Sequence, residues 1–480
     1  MFPLGAPYLF STVLCIFLAG CVRVPELGDA PTLRVSLKNY NKDRKASAHL
    51  SQSWWNYYQD AQLNQLMEEG LTQAPSLTIA QARLLKAEAL AEQMGAIRLP
   101  EVNLDATFQK HRQSYNNGVP AAFVPKGFQS YAQGIVNVRY ELDFWSKNKA
   151  SVEAIMAQAH AARLETAQAK ILLSTSIAAA YAQLAELYAQ LDAANESFRV
   201  RTQTSTLFKQ RFDTGLENEG SLDQAYSSKA SAAAEVAALH EAIALAKNGL
   251  LTLVGRPPSE GALLERPSVI PLHLTGFPEE QIPLDLIARR PDLQALKFKL
   301  EAAAKRIDVA RAGFYPNIDV TAYLGQQSLG WGNIFKRTSL TGEAGPALHL
   351  PLFDGGRLKG QYKGARADYD ESLAQYESAI FHALQEVSDA LTSKKALALR
   401  TEKTQEALSA AQKAYGTTQN RYAGGLATYL EVLRAEDLLI ATRKSMAHMN
   451  TRAFILDIAL IKALGGALHG LPLPQKEEVL

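Results

Sequence analysis

The 480-residue sequence has little of what marks several common protein classes. Fifty basic residues against 48 acidic ones leave a net charge of +2, which gives no electrostatic footprint for nucleic acid. The histidines are scattered without ligand spacing, and His240-Glu241 lacks the second histidine of a zinc-protease helix. We therefore expect no metal, no cofactor and no nucleic-acid partner, and no residue pattern here predicts an enzyme.

Cysteine is scarce, and both cysteines, Cys15 and Cys21, lie near the start. The apolar run from Tyr8 to Leu18 is too short to span a bilayer but has the size of a signal-peptide core, although no Lys or Arg precedes it. Leu18-Ala19-Gly20-Cys21 then resembles a bacterial lipobox, whose cysteine is acylated. We predict a signal peptide over 1–20 and lipidation of Cys21; an ordinary signal peptide with an incidental cysteine is the alternative. Cleavage before Cys21 leaves no possible disulfide, and Val22 in place of Asp indicates the outer membrane.

Glycine and proline are absent from two long runs, Lys147 to Thr214 and Ala365 to Tyr415. A helix over the first run would be about 100 Å long, which is too long for a small globular domain. Apolar residues in this run recur at spacings of three and four, namely Ile155, Ala159, Leu173, Ile177, Tyr181, Leu184, Tyr188 and Leu191. This spacing predicts packing between long neighbouring helices.

The chain also contains one unit twice. Pro100 corresponds to Pro316 at an offset of 216, and beyond the next turn region the offset becomes 210, as for "RFDTGL" at Arg211 and "RYAGGL" at Arg421. Each unit predicts, in order, a helix, a β-hairpin, a very long helix, a tight turn and a further helix. The first hairpin is longer than the second by about six residues.

Four segments alternate apolar and polar residues with the period of a β-strand, near 101–113, 131–144, 317–328 and 340–353. Each is about as long as a tilted transmembrane strand, roughly 9 to 11 residues. A soluble sheet with its apolar face on a core is the alternative for any one strand. Because the neighbouring helices are too long to cover the sheet and the lipobox places the chain at a membrane, we expect the apolar faces to meet lipid. Lipid tolerates no open sheet edge and four strands cannot close a barrel, so several copies must assemble.

Five motifs in order resemble those of one family. They are "SWWNYYQDAQLNQLMEEGL", "NGLLTLVGRPP", "LIARRPDLQALKFKLEAAAKRIDVARAGFYPNIDV", "LPLFDGGR" and "QNRYAGGLATYLEVLRAE". With the internal duplication, they resemble the TolC-like outer-membrane efflux channels, the outer membrane factors, and within them the lipoprotein branch typified by OprM and NodT. The resemblance implies a mainly α fold with a transmembrane β-barrel part. It is the TolC-like trimeric α/β barrel, with four strands per protomer, long periplasmic helices and two internal repeats.

The resemblance and the residue patterns together predict a domain layout. After the signal peptide come a lipidated N-terminal linker and equatorial segment (21–60), the first repeat (61–255), an equatorial linker (256–283), the second repeat (284–466) and a flexible tail (467–480). The first repeat is expected to hold a hairpin over 101–144 and helices over 147–213 and 221–254. The second is expected to hold a hairpin over 317–353 and helices over 357–423 and 428–464.

The resemblance also implies a function. It is that of an outer-membrane channel of a tripartite export system: a homotrimeric, passive duct for efflux of drugs or other small molecules, extending into the periplasm. A periplasmic adaptor would open the duct and connect it to an inner-membrane pump, and outer-membrane lipid would surround the barrel. A type I-like protein secretion duct and a non-conducting structural envelope lipoprotein are the alternatives. A spacer would not need four amphipathic strands, so these strands favour a channel.

The two tight turns are the sharpest site candidates. Gly215 and Gly425 are explained by helices that end on a left-handed glycine. That explanation does not account for Leu216 and Leu426, the apolar residues that follow at both turns. The resemblance implies that these Gly-Leu turns dock the adaptor.

The resemblance further implies that Tyr422, Glu431 and Arg434 line the periplasmic aperture. Glu431 keeps an acidic group where family members carry carboxylates, whereas Arg434 stands where an aspartate is frequent. Three residues apart on one helix, the two side chains are expected to pair. Both a ring of such pairs around a three-fold axis and a simple exposed helical ion pair fit the sequence.

Overall fold

The computed structural model describes residues 24–28, 31–33, 53–114, 116, 118, 120–267 and 287–466. The predicted signal peptide, the predicted lipidation site Cys21, residues 268–283 of the predicted linker and the predicted tail over 467–480 lie outside the described residues.

Helices make up most of the described chain. In chain order they are α1 (Ala61–Gln73), α2 (Pro75–Gly95), α3 (Lys147–Asp213), α4 (Glu219–Val254), α5 (Pro291–Ala312), α6 (Arg357–Ala423) and α7 (Tyr429–Ala463). Within the described ranges, none of the helices combines the length and the hydropathy that crossing a bilayer requires.

The two longest helices, α3 and α6, each contain 67 residues and have the predicted bounds. Carboxylates fix where they begin. Asp143 accepts hydrogen bonds from the backbone amides of Asn148 (3.1 Å) and Lys149 (2.8 Å), and Asp354 accepts one from Leu358 (2.7 Å). These bonds satisfy amides that a helix N-terminus leaves unpaired. The same kind of bond lowers the pKa of Asp354.

The strands form one antiparallel sheet in the order β1 (Glu101–His111), β2 (Gln129–Glu141), β3 (Asn317–Leu329) and β4 (Leu340–His349). The prediction of four strands in two hairpins is confirmed, and the pairing of β2 with β3 joins the two repeats. β1 and β4 are the outer strands of this order, so each has one neighbour in the sheet.

The register separates two faces of the sheet. One row of neighbours across the strands is polar and consists of Asn103, Asn137, Tyr323 and Glu343. The adjacent row consists of Leu104, Val136, Leu324 and Gly342. Leu104 is 71% exposed and Leu324 is 61% exposed. The apolar face of the sheet is therefore uncovered within one protomer.

The strand ends differ from the predicted ones by a few residues. β2 ends at Glu141 rather than 144 because Asp143 already caps α3. β4 ends at His349 rather than 353, since Pro351 has no amide to donate and Gly355 and Gly356 follow with φ of 64° and 92°.

The chain forms two compact units, and both repeats contribute to each. The sheet unit consists of Met1–Leu33, Leu84–Ala162 and Leu296–Tyr376, and the helical unit consists of Arg34–Arg83, Arg163–Ala295 and Glu377–Leu480. In the sheet unit, α3 contacts α5 through an ion pair of Glu153 with Lys305 (2.6 Å) and through the rings of His160 and Phe298 (5.3 Å).

The main core of the helical unit anchors the N-terminal segment. The Tyr58 ring lies 4.4 Å from that of Phe454, between centroids, and Trp54 is 3% exposed. The Tyr181 hydroxyl donates to Asp60 (2.8 Å), whose other carboxylate oxygen accepts from the Leu63 amide and caps α1. Burial raises the pKa of Tyr181.

Candidate functional site

The turn after α3 has the hydrogen bonds of a Schellman motif. The Gly215 amide donates to the Phe212 carbonyl (2.9 Å), and the Leu216 amide donates to the Arg211 carbonyl (2.8 Å). Gly215 has a φ of 75°, in the left-handed region that favours glycine. Asn218 then caps α4 by accepting from the amide of Ser221 (2.9 Å).

The turn after α6 repeats this geometry at an offset of 210 residues. The Gly425 amide donates to Tyr422 (2.9 Å) and the Leu426 amide to Arg421 (2.8 Å), and Gly425 has a φ of 74°. Thr428 occupies the N-cap position of α7. The duplication therefore preserves the whole turn, including its exit into the next helix.

Both turns expose the leucine that follows the glycine. Leu216 is 70% exposed and Leu426 is 73% exposed. The backbone amide of each leucine is fixed by its bond to the preceding helix, so the exposure is built into the turn. Two matching apolar side chains in solvent are typical of a surface that binds a partner. We call residues 211–218 and 421–428 together the two-turn surface.

An aromatic cluster beneath the two-turn surface joins its halves. Phe208, Leu222 and Ala225 are buried there, and Tyr422 and Tyr429 pack against them. The ring centroids of Phe208 and Tyr429 are 4.5 Å apart, and those of Tyr422 and Tyr429 are 6.2 Å apart. The cluster contains residues from both repeats, so it holds the two turns side by side.

Tyr422, a predicted aperture residue, belongs to this cluster. Its hydroxyl is buried and has no hydrogen-bond partner among the described residues. Burial raises the pKa of Tyr422, and the charge of Arg211 opposes this shift. Arg211 also lies 3.8 Å from Glu217, so the first turn places an ion pair beside the Tyr422 ring.

Glu431, the second predicted aperture residue, forms a capping box with Thr428. Its carboxylate accepts from the Thr428 amide (2.8 Å), and the Thr428 side chain accepts from the Glu431 amide. Among the described residues, no ion pair joins Glu431 to Arg434, which is exposed. Within one protomer the expected Glu431–Arg434 pair is therefore replaced by a bond that starts α7. The aperture assignment of these residues stays a prediction.

A buried charge cluster close to the two-turn surface links α3 to α7. Glu436 is 4% exposed, and its carboxylate accepts from the Ser197 hydroxyl (3.3 Å) and lies 3.6 Å from Arg201 Nε. Arg201 also donates to Asp437 (2.5 Å). Burial raises the pKa of Glu436, and the Arg201 charge opposes this shift. Sequence analysis missed this cluster because its members lie more than 230 positions apart.

The part of the chain that the structure describes contains no group of three His, Cys, Asp or Glu side chains placed to hold a metal ion. The chemistry available at the two-turn surface is therefore that of apolar contact and charge pairing between helices.

Comparison with known proteins identifies the family. The model of the outer membrane efflux protein family matches residues 66–256 and 282–466, which is most of the chain. The chain belongs to the outer membrane efflux protein family. An efflux protein of this family is a channel of the outer membrane, as the sequence predicts.

Relatives of this efflux protein cover nearly its full length. The crystal structure of the outer membrane protein VceC from Vibrio cholerae is 42% identical, covers 87% of this chain and 99% of its own, and superimposes with a TM-score of 0.81. The multidrug resistance outer membrane protein MdtP of Escherichia coli K12 is 28% identical over 431 residues, 88% of each chain. The probable outer membrane lipoprotein SilC of Salmonella typhimurium is 29% identical over 465 residues, 95% of this chain and 98% of its own.

These comparisons confirm the predicted TolC-like fold class. They do not test the residues predicted to dock an adaptor or to line an aperture.

Proposed function

We propose that this efflux protein is the outer-membrane duct of a tripartite export system and works as a homotrimer. The uncovered apolar face of the sheet carries the proposal, together with the free outer edges of β1 and β4. An unpaired N–H or C=O group in hydrocarbon costs several kcal/mol, so a sheet placed in lipid must close on itself. Four strands are too few for this, and three copies joined edge to edge would form a closed barrel.

The assembly is tested by native mass spectrometry of the full chain in mild detergent. We expect a trimer, because the edges of one protomer's sheet find partners only on other copies. A stable monomer that keeps its full strand content by circular dichroism would contradict the proposal.

We further propose that the two-turn surface docks a periplasmic adaptor, which links the duct to an inner-membrane pump. Leu216 and Leu426 would enter an apolar groove on a helical hairpin of the adaptor. Docking would separate α7 from α3 and so open the periplasmic aperture, at the point where Arg201 holds Asp437 and Glu436 in the protomer. Both leucines rest on one aromatic cluster, which supports a single docking surface rather than two independent ones.

For the cargo we propose small molecules rather than folded proteins. The name of MdtP, a multidrug resistance protein that matches 88% of this chain, supports this assignment. Intracellular accumulation of a fluorescent dye in cells with and without the channel tests it. Accumulation should rise when the channel is deleted.

Lipidation of Cys21 is also part of the proposal, supported by the "LAGC" sequence and by the lipoprotein relative SilC. We expect an acyl mass on the mature N-terminus that is lost in Cys21→Ser, measured by intact-protein mass spectrometry. The variant should still insert to some extent, since the barrel is the larger anchor. A wild-type protein without lipid on Cys21 would contradict this assignment.

A further inference from the structure

A cavity of about 530 Å³ lies in the sheet unit, where β2 leads into α3 and α5 leads into β3. Its volume is in the range of small-molecule sites, roughly 300 to 1,000 Å³. Six of its lining residues matter for what it could bind: the aromatic residues Phe144, Trp145 and Tyr315 and the basic residues Lys149, Lys305 and Arg311. We call it the junction cavity.

The aromatic wall of the junction cavity is held in place. The Trp145 indole N–H donates to the Pro316 carbonyl (2.9 Å), and its ring stacks on that of Tyr315 with centroids 4.7 Å apart and planes at 18°. Trp145 is nevertheless 46% exposed and Phe144 is 65% exposed. A half-exposed Trp with its N–H satisfied is typical of the boundary between hydrocarbon and water.

Two cations in the junction cavity have no counter-charge. Lys305 pairs with Glu153 at 2.6 Å, and its pKa is raised by the hydrogen bond to Glu153 and by the nearby charge of Asp308. Within the described ranges, no ion pair joins Lys149 or Arg311 to a carboxylate, and both are exposed. Together, Lys149 and Arg311 can contact an anion without displacing an existing ion pair.

The position of the cavity relative to the sheet selects the class of anion. β2 ends at Glu141, and the last ladder bond beyond it runs from the Leu142 amide to the Ile318 carbonyl (2.8 Å). Phe144 follows at once, so the cavity begins where the uncovered apolar face of the sheet stops. In an outer-membrane channel this is the depth at which acyl chains give way to headgroups.

We infer that the junction cavity binds the phosphate of an anionic phospholipid, with Lys149 and Arg311 on the phosphate and the acyl chains along Phe144 and the apolar face of the sheet. A basic pocket beside membrane-spanning elements is suited to an anionic headgroup. The inference rests on the proposed placement of the sheet in lipid, and it is independent of the adaptor and of the cargo.

The test is a native mass spectrometry titration of the full-length protein in detergent with phosphatidylglycerol. We expect Lys149→Gln/Arg311→Gln to weaken phosphatidylglycerol retention on the order of ten-fold or more, since each basic residue near a lipid surface contributes several-fold. The matched control is Lys359→Gln/Lys363→Gln, which removes two exposed cations of α6 that do not line the cavity. The control should change retention by no more than about two-fold.

Further arms separate the possible outcomes. The charge-conserving variant Lys149→Arg/Arg311→Lys should retain the lipid, which excludes loss of fold as the cause. An excess of inorganic phosphate should leave the lipid bound; its displacement would show a general anion site and overturn the inference. Equal losses in the double variant and in the control would also overturn it. Lipid retention by a trimer that never conducts would count against the proposed duct and not against the junction cavity.

Discussion

Leu216→Asp/Leu426→Asp is expected to abolish adaptor binding and export while the protein still reaches the outer membrane as a trimer. Each substitution would bring a charge against an apolar partner surface, at a cost of a few kcal/mol per site. Three protomers repeat the effect, so the loss of affinity is at least on the order of a hundred-fold. The fold should tolerate the change because both side chains are more than two-thirds exposed.

Pull-down of the adaptor and dye export, measured in the same cells, test this expectation. Leu245→Asp is the matched control, since Leu245 lies in the middle of α4 and is 61% exposed. The control should keep both docking and export. Normal docking and export in the double variant would show that the adaptor binds elsewhere.

Arg201→Ala is expected to destabilise the contact of α3 with α7 and to make the aperture easier to open. The substitution leaves the Glu436 carboxylate buried without its cation, and breaking a buried pair in this way costs about 3 to 5 kcal/mol. The bond to Asp437 is lost at the same time. We expect a lower unfolding temperature and more frequent opening of single channels in planar bilayers.

Arg199→Ala is the control for this experiment. Arg199 lies on the same helix, and it is exposed and pairs with Glu196 three residues before it. An exposed pair of this kind contributes little to stability, so Arg199→Ala should resemble the wild type. Equal effects of the two substitutions would contradict a role for the buried cluster.

The long helices and the strands could be predicted because their signals are local. The Gly- and Pro-free run and the Gly-Leu turn fixed both ends of α3, and alternation of apolar and polar residues located the strands. The strand ends were less accurate because they depend on Asp143, whose choice between the strand and the N-cap of α3 is not visible in a period-two pattern.

The candidate site was only partly predictable. The duplicated Gly-Leu turns could be read from the sequence, and so could the capping box, since Thr428 and Glu431 are three residues apart before an apolar run. The pairing of Glu431 with Arg434 was inferred instead, and the cap takes up the carboxylate. The Arg201 contacts with Glu436 and Asp437 have no local signal, because only the packing of α3 against α7 brings these residues together.

Single-channel recording of the purified full-length protein in planar bilayers tests the central claim, that this chain forms a conducting duct. We expect discrete conductance steps from the trimer, with a higher open fraction for Arg201→Ala than for the wild type. Folded, inserted trimers of both proteins that never conduct would contradict the claim and favour a structural envelope lipoprotein.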